Sequence, residues 1–139
     1  VAVFGQKDFQ QLVIIRRMVA DLDMDVSIVA VATVRETDGL AISSRNQRLT
    51  HEDRKAAVCL FQALQSVEQA LSAGEHDSSR LECLARDRVA AEPRAELEYV
   101  HIVDPTTLNP VAVVTQPAVV LVAARFGDVR LIDNLPISP

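Results

Sequence analysis

Two short polar blocks carry the side chains best suited to hold a phosphate-bearing ligand. The first is GQKD at residues 5–8, followed by Gln10 and Gln11. Lys7 offers three hydrogen-bond donors and the glutamine amides add more, while a helix beginning here would supply backbone N–H groups and a favourable dipole. This set suits a triphosphate. The alternative is a surface lysine, a capping aspartate at Asp8 and two solvated glutamines.

The second block is SSRN at residues 43–46, which places two hydroxyls, a guanidinium and an amide side by side. The same stretch carries Arg35 and Arg48, although the whole chain has a formal net charge of −5. Positive charge concentrated in one stretch of an acidic chain indicates an anion-binding loop, and Gly39 would let that loop turn or close on a ligand. The alternative is a solvent-exposed turn whose polar side chains bond to their own backbone.

Several common chemistries lack their motifs in this sequence. There is no Walker A motif, no G-x-G-x-x-G motif and no G-x-S-x-G elbow around the serines of the second block. The histidines, His51, His76 and His101, are scattered without metal-ligand spacing, so we expect no metal site built from protein side chains. Cys59 and Cys83 lie in apolar, helix-patterned segments without CxxC spacing and are predicted to be buried, reduced thiols.

The elements that must position the first block form a β–α–β pattern. Val1–Phe4 is strand-like and ends at Gly5, and a second apolar run covers Val26–Val31. Between them Asp8 is a candidate N-cap for a helical stripe, which consists of Leu12, Ile15, Val19 and Leu22. The β–α–β pattern predicts parallel strands, and open α/β sheets bind ligands at the carboxyl ends of such strands. Lys7 and its neighbours should therefore lie at a ligand-binding edge.

The middle of the chain predicts an ordered loop and then a long helix. Residues Ala32–Leu49 show no periodicity, and a connection of this length is more often functional than idle. Thr50 with Asp53 resembles a capping box and should begin one continuous amphipathic helix through Leu71. Gly74 is expected to end that helix.

The last part of the chain predicts a second helix and an antiparallel sheet. Asp77 or Ser78 should cap the second helix, and Pro93 should close it. Gly127-Asp128 is suited to a type II′ hairpin turn between two strands. The predicted strands are Glu96–Asp104, Ala118–Arg125 and Val129–Asn134.

Composition limits the classes of protein to which the chain can belong. At 139 residues, with 49% hydrophobic and 24% charged residues, it can bury a core of its own, and the 4% aromatic content means an aliphatic core of the α/β type. A pI near 5.1 gives no basic surface for nucleic acid. No apolar run approaches the roughly 20 residues of a membrane span. We therefore expect no nucleic-acid or membrane partners, and the predicted reduced thiols indicate a cytoplasmic protein.

Three blocks in order resemble one enzyme family. FGQKDFQQLVIIRRMVADL and VATVRETDGLAISSRNQRL resemble the ATP- and pantoate-binding segments of pantothenate synthetases, and YVHIVDPTTLNP with LVAARFGDVRLIDN resembles their C-terminal sheet. The resemblance implies an α/β fold: a remnant of a Rossmann-like nucleotidylyl-transferase domain at residues 1–33, then a small α+β domain at residues 34–139 that starts with a KMSKS-like loop. It also implies ATP with Mg²⁺, pantoate and β-alanine as ligands, a pantoyl-adenylate intermediate, and a homodimer.

The same resemblance assigns roles to individual residues. It implies that Gln11 holds pantoate and that Lys7, Ser43, Ser44 and Arg45 act directly in catalysis. The implied ATP-binding residues are Gly5, Gln6, Lys7, Asp8, Val34, Ile42, Ser43, Ser44 and Arg45.

The chain also departs from the family pattern. Ala32 stands where family members usually have Pro, and Ile42 where they have Met or Leu. The family's histidine motif and first pantoate-binding glutamine belong to a segment absent from these residues, and a start at Val1 suggests a fragment, an unordered leader or a processed product. We expect no synthetase activity from these 139 residues alone. The alternatives are a non-catalytic binding or dimerisation module, or another nucleotidylyl transferase, against which Gln11 and the RLIDN block argue.

Overall fold

The first elements of the fold form a parallel β–α–β unit, as predicted. The computed structural model describes residues 1–139, and it begins with strand β1 (Ala2–Gly5), helix α1 (Phe9–Asp21) and strand β2 (Ile28–Val31). The two strands pair in parallel, with Gly5 opposite Val31. Their carboxyl ends therefore lie side by side.

The segment after β2 is an ordered loop without a long element. Arg35 and Ala41 form an isolated antiparallel bridge, and Ser44–Arg48 forms a short 3₁₀ helix. Residues 32–49 are called the serine loop below, and residues 5–8 the GQKD turn.

The prediction of one continuous helix after Thr50 is wrong, because the helix is interrupted at residues 57–58. Helix α2 spans His51–Ala56 and helix α3 spans Cys59–Ser72. Thr50 caps α2 as predicted, since its hydroxyl accepts from the backbone N–H of Asp53 at 3.1 Å. At the break the N–H of Leu60 bonds to the carbonyl three residues back, which is the tighter 3₁₀ pattern. Helix α4 then spans Ser78–Ala90, with the Asp77 carboxylate accepting from the N–H of Arg80 at 3.0 Å.

The last three strands form an antiparallel sheet in the order β3–β4–β5, which confirms the predicted hairpin. The strands are β3 (Glu96–Val103), β4 (Ala118–Phe126) and β5 (Val129–Ile137). Gly127 has φ +60° whereas Asp128 has a negative φ, the sign pattern that a type II′ turn requires.

The central strand β4 is buried on both faces, which explains its continuous apolar run. Its even-numbered residues, such as Val120 and Val122, pack in the main core with α3 and α4. On the opposite face Val119 and Leu121 pack against Phe9 and Val13 of α1. The antiparallel sheet thus lies between two helical layers, and α1 joins the β–α–β unit to it. The division of the chain at residues 33 and 34 stays a prediction.

The outer edge of the antiparallel sheet is covered by helix α4. The carboxylate of Glu82 accepts from the backbone N–H of Ile102 at 2.8 Å, and the guanidinium of Arg86 donates to the carbonyl of Val100 at 2.9 Å. These side chains satisfy backbone groups of β3 that would otherwise be open to pairing with another strand.

Two predicted burial patterns need correction. In α1 the buried residues are Phe9, Leu12 and Val13, whereas Leu22 follows the helix as its C-cap and is 66% exposed. The helix turns a different face to the sheet because Phe9 and Val13 fill the gap beside β4. Cys59 is buried, and burial raises the pKa of its thiol to about 12, but Cys83 is exposed on the outer side of α4. None of the helices is long and apolar enough to cross a membrane.

Candidate active site

The GQKD turn lies at the carboxyl end of β1, where the sequence predicts a ligand-binding edge. The N–H of Gln6 donates to the carbonyl of Val31 at 2.7 Å, which fixes the turn against the end of β2. Lys7 forms no ion pair, and Asp8 stands at the N-terminus of α1 without a side-chain cap hydrogen bond. The predicted capping bond of Asp8 is therefore wrong, and both charged side chains remain available to a ligand.

The serine loop begins beside this turn, because it leaves the carboxyl end of the neighbouring strand. Within it the N–H of Ile42 donates to the carbonyl of Val34 at 2.9 Å, so these two predicted ATP-site residues are paired. The Ser43 hydroxyl accepts from the N–H of Arg45 at 3.2 Å and caps the 3₁₀ helix. Ser44 and Arg45 are exposed, and their side chains make no hydrogen bond within the protein.

Arg35 has a different role from the one the sequence indicated. It donates to both carboxylate oxygens of Asp133, at 2.6 and 3.0 Å, and its guanidinium lies 4.5 Å from the ring centroid of Phe61. Its charge is already neutralised, so it does not belong to the anion-binding set. Arg45 and Arg48 form no ion pair and remain the free cations of the serine loop.

Asp133 and Asn134 are the site residues that sequence reasoning missed. They are only 4% and 2% exposed, on strand β5. Asp133 pairs with Arg35 of the serine loop, and the Asn134 amide donates to the carbonyls of Gln6 and Lys7 at 3.0 and 2.8 Å. Their signal in the sequence is two adjacent polar residues inside the apolar run LIDNLPI at residues 131–137, which is unusual unless both have partners.

A shallow pocket lies between the start of α1 and the antiparallel sheet. It brings together three predicted site residues of the first block and five residues from the sheet. Lys7, Asp8 and Gln11 form one wall, and the sheet contributes Tyr99, Leu121, Ile132, Asp133 and Asn134. Ser43, Ser44 and Arg45 do not line this pocket, so the two blocks are neighbours at one sheet edge rather than walls of a single closed cavity.

A second ion pair fastens the tip of the serine loop to the helical layer. Arg54 on α2 donates to both carboxylate oxygens of Asp38, at 2.9 and 3.2 Å, and this hydrogen bonding lowers the pKa of Asp38. The side chains are 31% and 43% exposed, so solvent screens this pair more than the Arg35 pair.

The histidines lie outside this arrangement. The Nδ1 atom of His76 is 3.0 Å from the carbonyl oxygen of Val114, and the ring of His101 stacks on Tyr99. No group of three or more His, Cys, Asp or Glu side chains is arranged to hold a metal ion.

Comparison with known proteins assigns this arrangement to a family. Residues 1–136 match the family model described as pantoate-beta-alanine ligase. The chain belongs to this family. Pantothenate synthetase of Syntrophotalea carbinolica is 48% identical over 134 residues, which are 96% of this chain and 47% of that protein.

Solved structures of pantoate-beta-alanine ligases agree with the predicted fold. Pantothenate synthetase from Thermus thermophilus matches with a TM-score of 0.95 at 43% identity, over 99% of this chain and 50% of that chain. The Francisella tularensis ligase, solved in complex with beta-gamma ATP and beta-alanine, matches with a TM-score of 0.63 at 27% identity, over 96% of this chain and 42% of that chain. The chain thus spans about half the length of the relatives it matches.

Proposed function

We propose that this chain supplies the triphosphate-facing half of an ATP-dependent ligase that joins pantoate to β-alanine. The observation that carries the proposal is the meeting of the GQKD turn and the serine loop at the carboxyl ends of two adjacent parallel strands, with Lys7 and Arg45 free of ion pairs. Membership in the pantoate-beta-alanine ligase family supplies the substrates. The alternative is a non-catalytic binding or dimerisation module. Such a module would have the same fold, but it would catalyse no reaction at the carboxyl ends of β1 and β2.

In the proposed first step the pantoate carboxylate attacks the α-phosphorus of Mg-ATP, and pyrophosphate leaves. A carboxylate is already ionised at neutral pH, so this step needs no general base. It does need fixed donors around the triphosphate while charge moves onto pyrophosphate. Lys7, Ser43, Ser44 and Arg45 are suited to that role, and Mg²⁺ arrives with ATP as part of the substrate.

The remaining predicted contacts shape the nucleotide and pantoate positions. Gly5, Gln6 and Asp8 would border the ATP at the end of β1, with Val34 and Ile42 beside it in the serine loop. Gln11 would hold pantoate in the pocket that it shares with Tyr99 and Ile132. In the second step the amine of β-alanine attacks the acyl carbon of pantoyl adenylate, which yields pantothenate and AMP. We further propose a cytoplasmic homodimer, as the family resemblance implies.

The test is pantoate-dependent exchange between ATP and labelled pyrophosphate, measured on the full-length protein that contains these residues. Lys7→Ala and Ser43→Ala should each lower the exchange rate by about 10²- to 10³-fold, because each removes a donor from the developing charge. Lys55→Ala and Ser72→Ala are matched controls, since Lys55 is the other lysine of the chain and Ser72 is exposed at the end of α3. Wild-type exchange in both site variants would refute the roles, and a full-length protein without exchange would favour the module.

A further inference from the structure

Asp133 and Asn134 hold both loops of the proposed nucleotide site from one position on strand β5. We infer that they are positioning residues, which set the distance and orientation between the GQKD turn and the serine loop. The inference rests on the proposed function and adds to it the residues that hold the GQKD turn and the serine loop in fixed relative positions. They act through Arg35 on one side and through the backbone of Gln6 and Lys7 on the other.

The Asp133 side of this arrangement fixes the serine loop. Its carboxylate accepts from Arg35 at 2.6 and 3.0 Å, and one oxygen also accepts from the N–H of Asn134 at 2.8 Å. Arg35 also donates to the carbonyls of Gly39 and Asn134, at 3.1 Å each, and covers the Phe61 ring. A two-pronged arginine–carboxylate pair fixes direction as well as distance. The loop is therefore locked in orientation, not merely attached.

The Asn134 side fixes the turn that carries Lys7. Both hydrogens of the Asn134 amide are used, one on the carbonyl of Gln6 and one on that of Lys7, at 3.0 and 2.8 Å. These bonds hold the Lys7 backbone while its ammonium group stays free of ion pairs. An aspartate at this position would have no donor for either carbonyl.

The two residues are adjacent in sequence, so one strand orders both loops. Successive side chains of a strand point to opposite faces, which lets Asp133 and Asn134 reach two different segments. The bonds they make span 98 residues to Arg35 and 128 to Gln6. The one further side-chain hydrogen bond from these loops to the antiparallel sheet is that of Arg35 to the carbonyl of Asn134. Loss of their side-chain bonds should therefore loosen the loops while Lys7, Ser43, Ser44 and Arg45 all remain.

The test uses Asp133→Asn and Asn134→Leu in the full-length protein, since asparagine has the shape of aspartate, and leucine keeps the branched shape of asparagine but has no hydrogen-bonding groups. Glu98→Gln is the matched control: its carboxylate accepts from Arg130 at 2.6 Å on the same sheet, away from both loops. Arg35→Lys is a second variant that keeps the positive charge but loses the two-pronged geometry. Amide hydrogen exchange reports loop order, and ATP–pyrophosphate exchange reports kcat and KM.

We expect Asp133→Asn and Arg35→Lys to speed amide exchange about tenfold in the serine loop, and Asn134→Leu to do so in the GQKD turn, while β4 stays protected. The kcat of ATP–pyrophosphate exchange should fall about 10- to 100-fold in these variants, with a smaller change in the KM for pantoate, because the donors remain but are misplaced. Glu98→Gln should stay within about twofold of wild type, as a surface pair contributes little.

The positioning role would be overturned if amide exchange in the loops became faster but kcat stayed normal. It would also be overturned if amide exchange in the loops were unchanged in Asp133→Asn, Asn134→Leu and Arg35→Lys. A separate result would refute the proposed function: normal ATP–pyrophosphate exchange in Lys7→Ala, whether or not the loops are ordered. A disabled Lys7→Ala enzyme together with fully active Asp133→Asn and Asn134→Leu enzymes would contradict the positioning role alone.

Discussion

At the scale of single residues, Gly39 is where the serine loop lies closest to the helical layer. Its φ is +96°, a value that side chains disfavour, and a Cβ atom here would overlap the ring of Phe61. The sequence suggested that this glycine lets the loop turn or close on a ligand. Its positive φ agrees with a turn, and its lack of a side chain also lets Phe61 fit against the loop while Arg35 covers the same ring.

Gly39→Ala should therefore destabilise the protein more than backbone strain alone predicts. We expect a loss of about 2–5 kcal/mol in the free energy of unfolding, from the left-handed backbone and from overlap with Phe61. Gly74→Ala is the control, because Gly74 has φ +103° but open space around its Cα, and it should cost about 1–2 kcal/mol. Urea unfolding of both variants measures the difference. Equal costs would show that Phe61 moves aside freely.

At the scale of elements, strands and caps with strong local signals were predictable from sequence. Strand β4 is indicated by its apolar run, and the β4–β5 hairpin by Gly127 with Asp128. The break between α2 and α3 carries no signal, since Ala57 and Val58 are neither breakers nor caps. The anchors of the candidate site were missed for a different reason. A bond that joins Arg35 to Asp133 across 98 residues leaves no trace in local spacing.

The two aspartates that precede helices should differ in their effect on stability. Ser79 and the N–H of Arg80 donate to the Asp77 carboxylate and hold its pKa below the usual 3.8, whereas Asp8 caps nothing with its side chain. At neutral pH, Asp77→Ala should lower Tm by roughly 3–6 °C and Asp8→Ala by much less.

The pH dependence of Asp77 follows from the direction of its shift. A lowered folded-state pKa stabilises the protein above the usual aspartate value, and this stabilisation is lost as the pH falls below 3.8 toward the lowered pKa. The Tm difference between wild type and Asp77→Ala should shrink over that acidic range. Thermal unfolding of both proteins between about pH 7 and about pH 2.5 measures this difference. A constant difference would mean that the carboxylate charge does not act in the cap.

At the scale of the whole molecule, one side of the β–α–β unit is apolar and open. Val3, Val29 and Val31 on one face of the two-stranded sheet are 61%, 45% and 46% exposed. Apolar surface of this kind marks a place where protein–protein contact is favourable. The chain spans about half the length of the relatives it matches.

We therefore expect the isolated 139-residue polypeptide to have no measurable synthetase activity. Lys7 and the serine loop belong to the proposed site, and the relatives are about twice as long as this chain. Incubation with ATP, pantoate and β-alanine, followed by an assay for pyrophosphate and AMP, measures this directly. Product above the level of a Lys7→Ala control would contradict the expectation.

The position of Asp133 and Asn134 on the last strand has a consequence for biosynthesis. A ribosome makes the GQKD turn and the serine loop first, and it reaches Asp133 98 residues after Arg35. At typical elongation rates that delay is roughly 5–20 s. During translation both loops therefore lack their anchors on the sheet until β5 emerges and pairs with β4.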